Sequence, residues 1–188
     1  MKLSINSRVF TDNTNELEKD NIFVVSEQNE KFKNIALDGG FEVINAYELK
    51  NYLDMKSIKI IGITGTNGKT TTAATIYSIL LDLGYKAALQ GTRGFFVNDK
   101  QIEEYSLTTP VQLGNFANIQ IALENSWQFF VMEVSSHEIS QKRVEGLDFA
   151  LKIHTNITRD HLDFHKTIEE YIAVKNSFLS DESLKLIN

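Results

Sequence analysis

A largely apolar strand that runs straight into a glycine-bracketed, threonine-rich turn constrains this chain more than any other feature. Ile58-Lys59-Ile60-Ile61-Gly62-Ile63 reads as the strand, residues 64–68 as the turn, and a helix begins at Lys69 or Thr70. Ala73, Ile76, Tyr77, Leu80 and Leu83 recur at helical spacing, and Gly84 sits where a helix terminator belongs. Strand, turn and helix in that order open a βαβ unit. The expected fold class is therefore α/β, with a mostly parallel sheet and flanking helices.

Strand-like and helix-like segments go on alternating after it. Residues 86–89 read as a short strand, and Thr109-Pro110 as N-cap and first-turn proline of a helix with Leu113, Phe116, Ala117 and Ile121 on one face. Phe129-Phe130-Val131-Met132 is a buried strand ending at Glu133. Residues 149–157 form another, followed by Arg159, Asp160 and His161. Thr167 and Glu170 are spaced as a capping box, opening a last helix with Ile168, Tyr171, Ile172, Phe178 and Leu179 on one stripe. The tail, residues 181–188, stops in mid-pattern without a capping signal. Residues 1–53 have a different texture: polar, with short apolar pieces at Ile22-Phe23-Val24-Val25 and Phe41-Glu42-Val43-Ile44. A small α/β domain over residues 1–56 is expected, with the larger sheet beginning at residue 57.

Composition narrows the function classes. A chain of 188 residues, 42% apolar with 12 Phe and 6 Tyr, can bury a core and is not disordered. Its 19 basic against 25 acidic side chains give a net charge of −6, which argues against nucleic acid as a partner. The absence of cysteine leaves no disulfide frame and no thiolate metal site. The first residues lack a signal-peptide core, and no apolar run approaches the ~20 residues of a membrane span. A soluble, cytoplasmic, monomeric protein with no membrane partner is expected.

The turn carries the chemistry. Gly65-Thr66-Asn67-Gly68-Lys69-Thr70-Thr71 stands where backbone N–H groups and a helix N-terminus can cradle phosphate oxygens. Lys69 would reach the β- and γ-phosphates, and the Thr70 hydroxyl would ligate Mg²⁺. The strict phosphate-loop pattern wants glycine at position 63, which is Ile, so a tight turn with an exposed lysine is the plain alternative. Glu133 ends an apolar strand, where ligands of parallel sheets gather, and Ser135, Ser136 and His137 follow. An ordinary exposed strand-end carboxylate is the competing account. His161 lies just past a strand and can serve as a nitrogen ligand of a magnesium site, with zinc on His137, His161 and His165 as the alternative. Lys175 falls on the apolar stripe of the last helix. Either its stem is buried and its ammonium reaches water, or it is wholly buried and available as a nucleophile or, carbamylated by CO₂, as a metal ligand.

The run Gly62-Ile63-Thr64-Gly65-Thr66-Asn67-Gly68-Lys69-Thr70-Thr71-Thr72 resembles the ATP loop of the Mur ligases and folylpolyglutamate synthetases, which departs from the strict pattern at the same first glycine. Met132-Glu133-Val134-Ser135-Ser136-His137, then Gln141 and Arg143, then Asn156-Ile157-Thr158-Arg159-Asp160-His161-Leu162-Asp163, resemble most closely the MurE type. The resemblance covers residues 57–180 well. It reaches into the first domain through Ser7-Arg8-Val9 and Asn21-Ile22-Phe23-Val24-Val25.

The resemblance implies ATP and Mg²⁺, with Gly65, Thr66, Asn67, Gly68, Lys69, Thr70 and Thr71 on the ATP phosphates. Thr70 would hold the first Mg²⁺, Glu133 would bridge metals, His161 would ligate the second, and Lys175 falls where the family carries a carbamylated lysine. Thr108, Thr109, Ser135, Gln141 and Arg143 would bind the UDP-N-acetylmuramoyl-dipeptide, and Ser7 its uridine nucleotide. The implied reaction joins a free diamino acid, meso-diaminopimelate or lysine, to the D-Glu γ-carboxylate through an acyl phosphate. The family's three-domain plan places the end of this chain inside the central ATP domain. The amino-acid-binding C-terminal domain is then absent, and the chain alone is expected not to complete the reaction. A nucleotide-binding P-loop module without ligase chemistry, another ligase of the Mur or folylpolyglutamate type and a kinase are the competing functions. The Asn-Lys-x-Asp guanine motif of GTPases does not occur.

Overall fold

The computed structural model describes residues 1–98, 100–104, 110–158 and 162–188. Two sheets organise them. β1 (Lys2–Ile5) and β2 (Arg8–Thr11) pair antiparallel around a turn at Asn6 and Ser7, whose φ angles of 48° and 67° match the twist of a two-residue hairpin. β3 (Ile22–Val25) joins β2 in parallel, α1 (Lys33–Asp38) crosses over, and β4 (Glu42–Asn45) joins β3 in parallel. Every residue of β3 is buried, as an inner strand covered on both faces requires.

The second sheet takes the rest of the chain. Its elements are β5 (Lys59–Thr64), α2 (Lys69–Asp82), β6 (Ala87–Gly91), β7 (Gly94–Val97), β8 (Lys100–Glu103), α3 (Gln112–Glu124), β9 (Phe129–Glu133), α4 (Ser136–Ser140), β10 (Phe149–His154), α5 (Leu162–His165), α6 (Ile168–Phe178) and β11 (Leu184–Ile187). The strand order is β11-β10-β5-β9-β6-β7-β8, parallel from β11 to β6 and antiparallel through β7 and β8. The expected mostly parallel sheet with flanking helices is what forms.

Successive β5 side chains serve opposite faces. Ile61 and Ile63 pack with Ala73, Val131 and Ile153 beneath α2, whereas Ile58 and Ile60 join Phe116 and Phe130 on the other side. That second cluster continues into Leu3, Ile5, Phe10 and Ile22, so the two sheets share one apolar core. α2 ends as expected, with the Gly84 N–H on Leu81 O at 2.9 Å and the Tyr85 N–H on Leu80 O at 2.9 Å.

Several boundaries differ from the sequence reading, each for a local reason. β10 stops at His154 rather than 157, because the Thr155 N–H turns to Thr64 O (2.9 Å) and Asn156 bonds to the loop after β5. α3 is capped by Val111, and Pro110 lies before it; a Cβ on Gly114 would fall 2.8 Å from Pro110 Cβ, so the proline packs on the first turn instead of starting it. The expected N-cap, Thr109, lies outside the described residues. β6 runs on to Gly91. Leu83, placed at helical spacing, is the C-cap of α2 and 67% exposed, and Ile172, on the α6 stripe, is 36% exposed. In the tail, Leu184–Ile187 pairs in parallel with β10. No helix among the described residues is long and apolar enough to cross a membrane.

Candidate phosphate and cation site

The carboxyl ends of β5, β6, β9 and β10 lie side by side. Ile63 is in register with Glu133, and Thr64 with His154. At that edge the chain leaves β5 into the glycine-bracketed loop. Gly65 has φ +146°, and a Cβ there would fall 1.9 Å from Thr155 Oγ1, so no other residue fits without moving the next strand's exit. The Thr66 N–H donates to Asn156 O (2.9 Å), the Asn67 N–H to Asn156 Oδ1 (3.0 Å), and both Thr155 Oγ1 (2.7 Å) and Asn156 Nδ2 (3.0 Å) donate to Asn67 O. The loop is thus clamped by residues ninety positions later, and Gly68 caps α2.

Lys69 folds back over the loop, its Nζ donating to Gly65 O at 2.9 Å and Thr66 O at 3.0 Å. Thr70 points the other way. Its hydroxyl donates to Glu133 Oε2 at 2.8 Å, and Glu133 is 2% exposed, which overturns the account of it as an ordinary exposed carboxylate. Thr92 adds its N–H to Oε1 at 2.9 Å and its hydroxyl to Oε2 at 3.3 Å. Thr70 and Glu133 offer oxygen atoms alone, the kind of ligand that a hard divalent cation takes, with Thr92 bonded to the carboxylate.

Lys175 does not reach water. It is 1% exposed, lies 4.8 Å from the centre of the Tyr171 ring, and donates to Gly65 O at 3.0 Å and Thr64 Oγ1 at 3.3 Å. Tyr171 OH and Thr66 Oγ1 share a hydrogen bond at 3.0 Å, so α6 is tied to the loop at two points. His154, beside them, is pulled below the ordinary imidazole pKa by burial and by the Lys175 charge.

The other candidates sit around this edge. Ser135 is the N-cap of α4 in a capping box with Glu138, whose carboxylate accepts the Ser135 N–H at 2.6 Å. Burial pushes the Glu138 carboxyl up, against the Ser135 N–H and the charges of Arg143 and Lys69. Gln141 closes α4 and accepts Gln28 Nε2 on its carbonyl at 2.9 Å, while its own buried Oε1 has no hydrogen-bond partner among the described residues. Arg143 follows, its carbonyl held by Asn115 Nδ2 at 2.8 Å. Ser7 is on the other sheet, at the exposed β1–β2 turn, and is not brought to the loop. Thr108, Thr109 and His161 lie outside the described residues. His137 and His165 stack with Phe164 and Tyr171, and no three metal-ligating side chains gather among the described residues.

Sequence reasoning missed Thr92, Thr155, Asn156 and Tyr171 as parts of the site. Thr92 was hidden because the strand read over residues 86–89 runs on to Gly91, which places Thr92 directly at its end. It also missed a buried amide chain in which Gln90 Nε2 donates to Asn115 Oδ1 (2.8 Å) and Asn118 Nδ2 to Gln90 Oε1 (2.8 Å).

Residues 63–188 match the Mur ligase middle domain. The UDP-N-acetylmuramoyl-L-alanyl-D-glutamate--2,6-diaminopimelate ligase of Helicobacter pylori is 55% identical over 181 residues, covering 95% of this chain and 40% of that protein. The Wolinella succinogenes protein of the same name is 52% identical over 179 residues, covering 95% and 41%. The chain spans about two fifths of the length of these curated relatives. A solved structure of a ligase of that name superposes with a TM-score of 0.76 at 27% identity, over 95% of this chain and 42% of that one. A bifunctional folylpolyglutamate synthase/dihydrofolate synthase with Mn, AMPPNP and L-glutamate bound shares the fold, with a TM-score of 0.61 at 18% identity over 76% and 41%.

Proposed function

The chain belongs to the Mur ligase family through its middle domain, and from that premise we propose that it is the phosphate- and UDP-substrate-binding part of a cytoplasmic, ATP-dependent amide ligase of peptidoglycan precursor synthesis. Residues 1–56 form the domain that holds the uridine end, with Ser7, and residues 57–188 the ATP-binding part. The relatives' names point to UDP-N-acetylmuramoyl-L-alanyl-D-glutamate and 2,6-diaminopimelate as the substrates joined.

One observation carries this reading: the phosphate loop, Glu133 and a buried Lys175 converge at one edge of a parallel sheet, with Thr70 Oγ1 2.8 Å from Glu133 Oε2 and Lys175 Nζ 3.0 Å from Gly65 O. The backbone of Gly65, Thr66, Asn67, Gly68, Lys69, Thr70 and Thr71 receives the ATP phosphates. Lys69 leaves the two loop carbonyls for the phosphate oxygens, a stronger charge-assisted bond. Thr70 and Glu133 would hold Mg²⁺, and His161 with a carbamylated Lys175 the second metal ion. Such cations neutralise the charge that builds when carboxylate and γ-phosphate approach. Thr108, Thr109, Ser135, Gln141 and Arg143 orient the UDP-substrate so that its γ-carboxylate attacks the γ-phosphate in line. The incoming amine then attacks the acyl carbon of the resulting acyl phosphate, and the C–O bond breaks to release inorganic phosphate as the amide forms.

The test is Lys69→Ala in the complete protein, assayed for ADP formation that depends on UDP-N-acetylmuramoyl-L-alanyl-D-glutamate and diaminopimelate together. Loss of turnover with UDP-substrate binding retained supports the reading. Retained turnover, or ADP formation that follows a hydroxyl acceptor and ignores the UDP-substrate, overturns it.

A further inference from the structure

Gly91 and Thr92 stand where β6 ends, beside Glu133 on the neighbouring strand. The two carboxylate oxygens of Glu133 are held differently. Oε1 takes a backbone donor that cannot rotate away, the Thr92 N–H at 2.9 Å, whereas Oε2 accepts from hydroxyls, Thr70 at 2.8 Å and Thr92 at 3.3 Å. The carboxylate also lies directly over Gly91. A Cβ there would fall 2.1 Å from Oε1 and 2.8 Å from Cδ, so the space is open only because the residue is glycine.

A carboxylate has broad, two-fold freedom about its last torsion, so an unanchored glutamate would offer either oxygen to a ligand. Here the backbone removes that choice. The two hydroxyls can turn away from Oε2, whereas Oε1 stays bound to the Thr92 N–H. Resting on the reading of Thr70 and Glu133 as cation ligands, we infer that Gly91 and Thr92 are positioning residues that present Oε2 alone of Glu133 to the divalent cation. Support of this kind, one layer behind the ligands, typically changes metal affinity by about 10–100-fold.

The experiment titrates Mn²⁺ into the chain with and without ADP, reading free Mn²⁺ by electron paramagnetic resonance, in wild type, Gly91→Ala, Thr92→Ala and Thr92→Ser. Gly91→Ala is expected to weaken ADP-dependent Mn²⁺ binding toward the upper end of that range and Thr92→Ala by about tenfold, with Thr92→Ser close to wild type. Metal-free ADP affinity and the thermal midpoint of Thr92→Ala stay unchanged, which a merely structural role would not produce. Wild-type Mn²⁺ affinity in both Gly91→Ala and Thr92→Ala overturns the inference, as does an equal loss of metal-free ADP binding. If wild type itself binds no Mn²⁺ with ADP, the reading of the phosphate loop falls, and the inference with it.

Discussion

The ammonium of Lys175 donates to the carbonyl oxygen of Gly65 at 3.0 Å, across 110 positions of sequence, and so ties α6 to the first residue of the loop after β5. The same ammonium reaches Thr64 Oγ1 at 3.3 Å. A buried cation is tolerable only where such acceptors compensate its lost hydration. Loop geometry and helix position are therefore coupled.

Removing that cation separates stability from chemistry. Lys175→Ala leaves a cavity beside Tyr171 and strips Gly65 O of a donor, and it is expected to lower stability by about 2–4 kcal/mol. Urea unfolding measures this. Intact mass of the wild-type chain in bicarbonate buffer is expected to show added CO₂ that Lys175→Arg lacks.

Lys69 donates to two loop carbonyls that nucleotide would displace it from. Lys69→Ala should leave unfolding unchanged to within about 0.5 kcal/mol. It should weaken binding of a fluorescent ATP analogue by about a hundredfold, as expected for a lost charge-assisted phosphate contact. Equal binding in the two proteins would refute the role.

Asn115 is wholly buried and bridges Gln90 Nε2 to Arg143 O. Asn115→Ala orphans a donor and an acceptor together, so a loss of about 2–4 kcal/mol is expected in urea unfolding. Because Arg143 loses its backbone anchor, affinity for the UDP-substrate in the complete protein should fall while ATP affinity holds.

Lys152, 5% exposed, donates to Phe178 O at 2.7 Å and Asp181 Oδ2 at 2.6 Å, fastening the end of α6 to β10. Burial pushes the Asp181 carboxyl up, but the bonds from Lys152 and Ser183 and the Lys152 charge outweigh it and bring it from 3.8 to about 2. A depressed carboxyl stabilises the fold above its ordinary pKa, and that contribution fades as pH falls from 3.8 toward about 2. With Asp181 half exposed, Asp181→Asn should cost about 1 kcal/mol at neutral pH, and the difference in urea midpoint should vanish in acid.

Much of the site was legible because its parts are local. The strand, loop and helix from β5 to α2 follow from apolar periodicity and glycine placement, and Glu133 from its place at the end of an apolar run. Pro110 misled because a first-turn proline and a proline packed on the first turn look alike in one dimension. The lysine on the α6 stripe was visible, but whether its ammonium reached water was not.

By itself the sequence determined the strands and helices around the site, β5, α2, β9, β10 and α6, that the sheet is mostly parallel, and that a glycine-bracketed loop opens α2. Only the tertiary structure decided that Lys175 turns inward to Gly65, that Asn156 and Thr155 clamp the loop, and that Gly91 and Thr92 hold Glu133. The physical reason is range. Periodicity and capping act between residues a few positions apart, whereas the partner of a buried charge is set by which strand ends the sheet order places side by side.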